Sequence, residues 1–266
     1  MLHTPESFSK RFNAKVFVNS RATFIDEKMK KVIVESENKE FILEYDKLII
    51  AVGGFPIIPP IKGIENVSYF FVRTVEDVDN ILDKIKEAKK ALVVGAGYIG
   101  VEVAEALYHI GISTTVVEIA RHILPGFDPE FSLNILEQMK RVGINVLTST
   151  ALKEVTPQDN NVVCSFSNGA SEEFDMIFLC TGVKPDTSLA KTCGIKIGDN
   201  GGIVTNQYME TSVQDIYAAG DVVEKFNPIT GKYMLLPLAG PANREGRVAG
   251  WKYDISRSLR NVCGHI

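Results

Sequence analysis

Cysteine is scarce in this 266-residue chain, which has four: Cys164, Cys180, Cys193 and Cys263. No two of them stand in C-x-x-C or zinc-ligand spacing, so reduced thiols of a cytoplasmic protein are expected. Histidine is equally thin. His3, His109, His122 and His265 are scattered, and they suggest no metal cluster. No apolar run approaches the roughly 20 residues that a membrane helix needs. The opening MLHTPESFSK has no apolar core of the kind that directs export. Excess positive charge is missing too, and a formal net charge of −4 leaves no footprint for nucleic acid. No G-x-S-x-G elbow is present, so a serine hydrolase has no support. What remains is ordinary for a globular protein, 45% hydrophobic and 23% charged, with length for about two domains.

The most informative stretch runs from Ala91 to Glu118, ALVVGAGYIGVEVAEALYHIGISTTVVE. Ala91 to Val94 is too short and apolar for a helix and reads as a buried parallel strand. Gly95-Ala96-Gly97-Tyr98-Ile99-Gly100 follows at once. A helical pattern comes next, with Ile99, Val103, Ala106, Leu107 and Ile110 on one face and Gly111 as its stop. A second β-rich run, Thr114 to Val117, ends on Glu118, roughly 20 residues beyond the first glycine, as in the dinucleotide fingerprint. Each part has a task. Gly95 permits the tight turn, Gly97 lets a pyrophosphate approach the backbone, and Gly100 brings helix and strand close. The N–H groups of the helix start then face the phosphates. Glu118 would accept hydrogen bonds from the adenosine ribose and repel a 2′-phosphate, which favours NADH over NADPH. A bare G-x-G-x-x-G is a weak signal; here strand, glycines, helix, second strand and acid are all in register.

Around this unit the chain reads in order. Thr4-Pro5-Glu6 starts a short helix ending near Phe12. Runs at 15–18, 22–25, 31–35 and 40–43 make a small antiparallel meander. DEKMKK at 26–31 is a solvated hairpin tip. Tyr45 to Val52 is expected as a fully buried strand, ended by Gly53-Gly54, with an extended linker through Pro56, Pro59 and Pro60. Residues 74–89 are expected as a helix with Val75, Val78, Ile81, Leu82 and Ile85 inside. Asp128 to Val142 is a further helix and Ile144 to Leu147 a strand. A second meander covers about 151–173, followed by a buried strand to Cys180 and Thr181-Gly182. Tyr217 to Asp221 closes another short strand. From Pro241 to about Val262 a helix is expected, with Val248, Trp251, Ile255, Leu259 and Val262 as a packing stripe.

The segments Val16 to Pro56 and Val146 to Pro185 repeat one plan of strand, meander, buried strand, Gly and Pro. A repeat of this kind implies two similar nucleotide-binding domains; the bland alternative is a chance likeness of two meanders. The second copy is preceded by the strand and helix that carry the fingerprint. The first has almost nothing before it, so the first domain is expected to lack its own opening strand, phosphate turn and helix.

Several stretches together resemble the flavin-dependent pyridine nucleotide-disulfide oxidoreductases, in the branch of the coenzyme A-disulfide reductases and NADH oxidases. They are Thr4-Pro5-Glu6-Ser7-Phe8, Ala51-Val52-Gly53-Gly54-x-Pro56, Gly95 to Glu102, Leu124-Pro125-x-x-Asp128-Pro129-Glu130, Thr181 to Pro185, Ile216 to Asp221 and Pro237 to Arg244. The resemblance implies an α/β fold of two interleaved Rossmann-like FAD- and NAD(P)-binding domains. Each would have three layers, with a parallel sheet and an antiparallel meander, and the FAD domain would be incomplete. It would be split over 1–72 and 197–247, with the NAD(P) domain at 73–196 and a divergent helical tail at 248–266. By the same resemblance Gly95, Gly97, Gly100 and Glu118 match NAD contacts, and Gly182 lies near the nicotinamide. Tyr98 and Ile99 match residues facing the flavin–nicotinamide stack, and Glu102 matches the acid at the nicotinamide edge. Gly220 and Asp221 match the second FAD motif. Leu238 and Ala239 open a helix whose positive end would face the flavin.

The implied activity is hydride transfer from NAD(P)H, NADH preferred, to FAD and then to a disulfide such as that of coenzyme A, or to dioxygen. Tyr98 and Glu102 would shape the hydride site. Two features of the family are not found: the N-terminal FAD fingerprint and the redox cysteine that follows it. No Cys lies between Met1 and Asn161. None of the four present has the electropositive, flavin-adjacent setting that a reactive thiolate needs. A second reading therefore stands beside the first, a truncated NAD-binding module without stable flavin or catalytic activity. The expected partners are a small nucleotide and a disulfide substrate, with no nucleic acid and no membrane. A homodimer, or pairing through the incomplete FAD domain, is expected as well.

Overall fold

The computed structural model describes residues 4–37, 39–251 and 261–263. The chain forms two compact units, one from Met1–Phe55 with Val183–Ile266 and one from Pro56–Gly182. These borders differ from the 72/73 and 196/197 positions expected from the sequence. The reason lies in the proline segment, which packs with the residues that follow it. Ile61 joins the second unit's core. The Phe70 N–H donates to Ile177 and its carbonyl accepts from Leu179, at 2.8 and 2.9 Å.

In the first unit, α1 (Pro5–Phe12) begins where Thr4 Oγ1 accepts the Ser7 N–H and ends at left-handed Asn13. The strand β1 (Lys15–Phe17) precedes an antiparallel sheet of β2 (Ser20–Asp26), β3 (Lys31–Ser36) and β4 (Lys39–Glu44), in that order. Asp26 Oδ1 ties the first hairpin tip by accepting the Lys28 and Met29 N–H groups. Then come β5 (Leu48–Ile50) and β6 (Gly54–Pro56).

The second unit holds a 3-10 turn (Ile64–Asn66), α2 (Val75–Lys84), β7 (Lys90–Val94), α3 (Tyr98–His109), β8 (Ser113–Val117), α4 (Pro129–Arg141) and β9 (Asn145–Leu147). A meander follows of β10 (Leu152–Gln158), β11 (Asn161–Phe166) and β12 (Ser171–Phe174), and β13 (Met176–Leu179) closes the unit. Its central sheet is parallel throughout, in the order β13-β7-β8-β9. The strict alternation of β7 explains the layers. Ala91 and Val93 point to a core with Val103, Leu107 and Met139 of the helices. Leu92 and Val94 point the other way, to a core with Val155, Cys164 and Phe174 of the meander. A parallel strand apolar on both faces needs cover on both, and helices on one side with the meander on the other supply it.

The chain returns to the first unit with β14 (Val183–Pro185), α5 (Ser188–Thr192), β15 (Ile203–Val204), β16 (Ile216–Ala218), β17 (Val223–Asn227), β18 (Lys232–Leu235), α6 (Ala239–Trp251) and β19 (Asn261–Cys263). There β5 pairs in parallel with β16. Ile25, Val32 and Val34 of the meander pack with Ile50, Ile216, Ala218 and Val223. The repeat expected from the sequence is therefore visible as meander plus parallel strand in each unit. The fold is mixed α/β, with Rossmann-like parallel sheet and antiparallel meander.

Four expectations need correction. The strand at 45–52 is shorter and not buried throughout. Leu48 and Ile50 face the core, whereas Ile49 and Val52 are exposed. The helix expected to Lys89 ends at Lys84, and of its apolar stripe only Ile81 is buried, with Ile85 packed against the core; Val75, Val78 and Leu82 are exposed. On α3 the buried stripe is Gly100, Val103, Ala104 and Leu107, turned away from Ile99 and Ile110, which are exposed. That rotation follows from Gly100, whose missing side chain sets which face can approach the sheet. The C-terminal helix is described over Ala239–Trp251, and its expected far end at Val262 is not helical. Val262 lies in β19, paired in parallel with Val16 of β1, where the backbone of each strand finds hydrogen-bond partners in the other. Ile255 and Leu259, expected on the helical stripe, fall outside the described residues.

Candidate functional site

In the sheet order β13-β7-β8-β9 the first strand of the unit, β7, is flanked by β8 on one side and by β13 on the other. Successive crossovers leave β7 in opposite directions, which makes a topological switch point at the C-terminal ends of β7 and β13. Residues Gly95 to Gly100 and Thr181-Gly182 meet there. A Cβ on Gly95, at φ +100°, would stand 2.5 Å from the Cys180 carbonyl oxygen, so the two turns lie against each other. Gly182 also has a left-handed backbone, at φ +96°. It accepts the Ile57 N–H at 3.0 Å, and Thr181 Oγ1 donates to the Ile57 carbonyl at 2.6 Å.

The three glycines of the turn differ in their surroundings. Gly95 carries the positive φ that ends the strand. Gly100 sits where a Cβ would be 1.9 Å from the Gly95 carbonyl oxygen, so only a hydrogen fits between α3 and the turn. Gly97 has nothing within 4 Å of its Cβ position and opens to free space. It is also the N-cap of α3 and supplies no side-chain acceptor. The first-turn N–H groups of a helix have no intrahelical partners, so they are presented beside the one glycine that leaves room for an incoming anion. The free space at Gly97, the N–H donors and the sign of the helix dipole all suit a diphosphate.

Glu118 follows β8 and is 7% exposed. Its carboxylate accepts the Ala96 N–H at 2.7 Å and the Ala120 N–H at 2.8 Å. Each oxygen has a second lone pair, so the group retains capacity for a ribose hydroxyl. Backbone donors hold it beside the turn. Ala96 is clamped from the other side as well, its carbonyl accepting the Leu124 N–H at 2.7 Å. Leu124 has φ +49°, a left-handed conformation that costs a bulky residue about 1–2 kcal/mol.

Tyr98 and Glu102 stand one turn apart on the exposed side of α3, beside exposed Ile99. Tyr98 is 49% exposed and packs edge to face on Phe127, with ring centroids 5.7 Å apart. The second unit thus gathers Gly95, Gly97, Tyr98, Ile99, Gly100, Glu102, Glu118 and Gly182 at one end of one sheet.

The remaining predicted residues lie in the first unit. Gly220, at φ +84°, and half-buried Asp221 follow β16. Leu238 and Ala239 are exposed at the start of α6. Two residues not expected from the sequence hold this turn. Glu245 on α6 accepts the Gly220 N–H at 2.8 Å, and Lys225 on β17 donates to the Gly220 carbonyl at 3.2 Å while pairing with Glu245 at 3.4 Å. Both are nearly buried. The signal available in the sequence was a lone acid in the Ala/Gly/Arg-rich helix, with nothing to name its partner. Glu224, which is buried, was also missed; it accepts the Asn200 and Gly202 N–H groups at 2.6 and 3.1 Å and shapes the 198–202 turn.

The Cys164, Cys180 and Cys193 thiols are buried. Burial pushes Cys164 and Cys180 up to about 12 and raises Cys193 as well. Among the described residues no His/Cys/Asp/Glu cluster suits a metal ion, and no helix is long and apolar enough to cross a membrane.

Fold and turn together define an α/β protein with a Rossmann-like parallel sheet and a glycine turn at the end of its first strand. A family model for pyridine nucleotide-disulphide oxidoreductases matches residues 3–243, and the chain belongs to that family. It is 38% identical over 254 residues to an NADH oxidase of Methanocaldococcus jannaschii, covering 94% of this chain and 56% of the relative. Among solved structures, a NAD-dependent persulfide reductase from A. fulgidus overlays with a TM-score of 0.92 at 36% identity, over 97% of this chain and 48% of that one. A water-forming NADH oxidase from Lactobacillus brevis, bound to NADH, overlays at 0.88 and 29% identity, over 97% and 56%. Proteins of the family are FAD- and NAD(P)H-dependent oxidoreductases. The chain spans about half the length of these relatives.

Proposed function

We propose that this chain binds NADH at the Gly95–Gly100 turn and serves a flavoprotein oxidoreductase of the coenzyme A-disulfide reductase or NADH oxidase type. The observation that carries the reading is the contrast among the three glycines, with one turning, one packed and one open beside unpartnered helix N–H groups. In this reading the α3 N-terminus and Gly97 hold the pyrophosphate, and Glu118 takes the adenosine ribose. Tyr98, Ile99, Glu102 and Gly182 border the nicotinamide. Glu118 lies where a 2′-phosphate would bring like charge against it, which favours NADH over NADPH. Asp221 and the start of α6, with Leu238 and Ala239, offer a carboxylate and a helix N-terminus toward FAD. FAD, when bound, accepts the hydride of NADH and passes two electrons on to a disulfide or to dioxygen.

The test is titration of the purified chain with NADH and NADPH by fluorescence, together with its visible absorbance. Saturable NADH binding with weaker NADPH binding supports the reading; equal affinity for the two sinks the assignment of Glu118. A yellow, flavin-containing chain that oxidises NADH supports the enzymatic part. A second reading has its own observation. The described residues contain one strand–glycine turn–helix unit, at 90–109, and the Cys164, Cys180 and Cys193 thiols are buried and protonated. On that ground the chain by itself is an NAD-binding module without stable flavin or turnover, and a colourless preparation that binds NADH would favour it. Exposed Ile49 and Val52 in the first unit support self-association as a homodimer, read by the chain's mass in solution. The reduced thiols support a cytoplasmic site of action.

A further inference from the structure

Among the described residues nine non-glycine positions have positive φ, and Leu124 and Met209 are the two with apolar side chains. Leu124 also precedes Pro125, a placement that steers a residue toward extended backbone. It is 7% exposed and belongs to the core formed with Ala96 and Ile123. A bulky residue persists in such a conformation only where its surroundings over-determine it, and strain of this kind gathers at functional sites. What the conformation achieves is visible. The Leu124 N–H is aimed at the Ala96 carbonyl at 2.7 Å, while the Ala96 N–H is held by Glu118 Oε2 at 2.7 Å. The Gly95 N–H donates to the Val117 carbonyl at 2.8 Å. The peptide units leading to Gly97 are thereby tied on both sides by the segment 117–124. The Leu124-to-Phe127 turn, closed by the Phe127 N–H on the Leu124 carbonyl at 2.9 Å, braces that segment from behind.

We propose that Leu124 is a positioning residue for the dinucleotide site, its left-handed backbone clamping the Ala96 peptide and presetting the phosphate turn before a ligand arrives. A turn set in advance spends no binding energy on ordering. The inference rests on the NADH-binding reading of the same turn, so its test has one arm with NADH and one without. Leu124→Ile keeps the volume but adds β-branching, which opposes a positive φ. Leu124→Gly adopts the positive φ freely but empties a buried site. Leu124→Ile is expected to weaken NADH binding about five- to tenfold, the value of one lost hydrogen bond. It should also speed hydrogen exchange of the Ala96 amide. Leu124→Gly is expected to hold NADH affinity and Ala96 protection near wild type although its Tm falls further.

A merely structural role for the side chain predicts the reverse, with affinity and protection following Tm and the glycine variant the weaker. That result overturns the proposal, as does equality of both variants with wild type. If wild type fails to bind NADH while the exchange contrast holds, the NADH reading falls and the clamp stands. If NADH binds and both readouts follow Tm, the clamp falls and the NADH reading survives.

Discussion

A methyl group on Gly100 would stand 1.9 Å from the carbonyl oxygen of Gly95, whereas the same group on Gly97 would meet no atom within 4 Å. Two glycines three residues apart in one turn therefore carry different burdens. Gly100→Ala forces α3 off the strand and is expected to cost about 3 kcal/mol or more. Gly97→Ala leaves the fold intact but fills the open space that the proposed reading gives to the pyrophosphate. Thermal melts should show a lowered Tm for the first and a near-native Tm for the second, with NADH affinity lost in both. A Gly97→Ala protein that binds NADH as well as wild type would remove the pyrophosphate from this turn.

Glu118 fastens the turn, and in the proposed reading it also takes the adenosine ribose. In Glu118→Gln the N–H groups of Ala96 and Ala120 both lose a charged acceptor and one of them faces an amide NH2 instead, where a charge-assisted bond is worth about 1.5–3 kcal/mol. The expected result is a lower Tm and a narrower gap between NADH and NADPH affinity, since the repelling charge is gone. Fluorescence titration with both nucleotides reads the gap directly. An unchanged ratio would show that selectivity arises elsewhere.

Burial holds the Cys164 and Cys180 thiols at about 12 and raises Cys193. Near neutral pH all three stay protonated, and a thiolate is the reactive form. With Cys263→Ser as background, an aromatic disulfide reagent should leave the native protein unlabelled at neutral pH and label three thiols after denaturation. Rapid labelling of any one in the native state would contradict its burial.

Asp215 pairs with Lys30 at 2.5 Å and with Lys47. These partners hold its carboxyl below the ordinary 3.8. A depressed pKa stabilises the fold above the unfolded value, and the contribution disappears as pH falls through the folded value. Asp215 has φ +67°, which asparagine tolerates, so Asp215→Asn isolates the charge. Its Tm should lie below wild type by a constant margin at neutral and mildly acidic pH, and the margin should close as pH falls below 3.8. A margin that persists in acid would assign the effect to packing instead.

The amino-acid order alone carried the dinucleotide unit, because strand, turn, helix and terminal acid are local in sequence and each has its own residue preference. Capping at Thr4, the hairpin tip at Asp26, the turn at Gly95 and the close packing at Gly100 were legible for the same reason. The repeat of meander and parallel strand was legible too, since periodicity and turn residues recur in both copies. Only the tertiary structure decided which apolar residues are buried. Val75, Val78 and Leu82 have the right spacing for a core stripe yet face outward, and the stripe of α3 rotated because Gly100 chose the approach. It also decided partners distant in the chain: Glu245 with Gly220 and Lys225, and Leu124 with Ala96. Spacing rules reach across one turn of helix or one pair of strands. A hydrogen bond between residues 25 or more apart depends on how the layers stack, which no local pattern encodes.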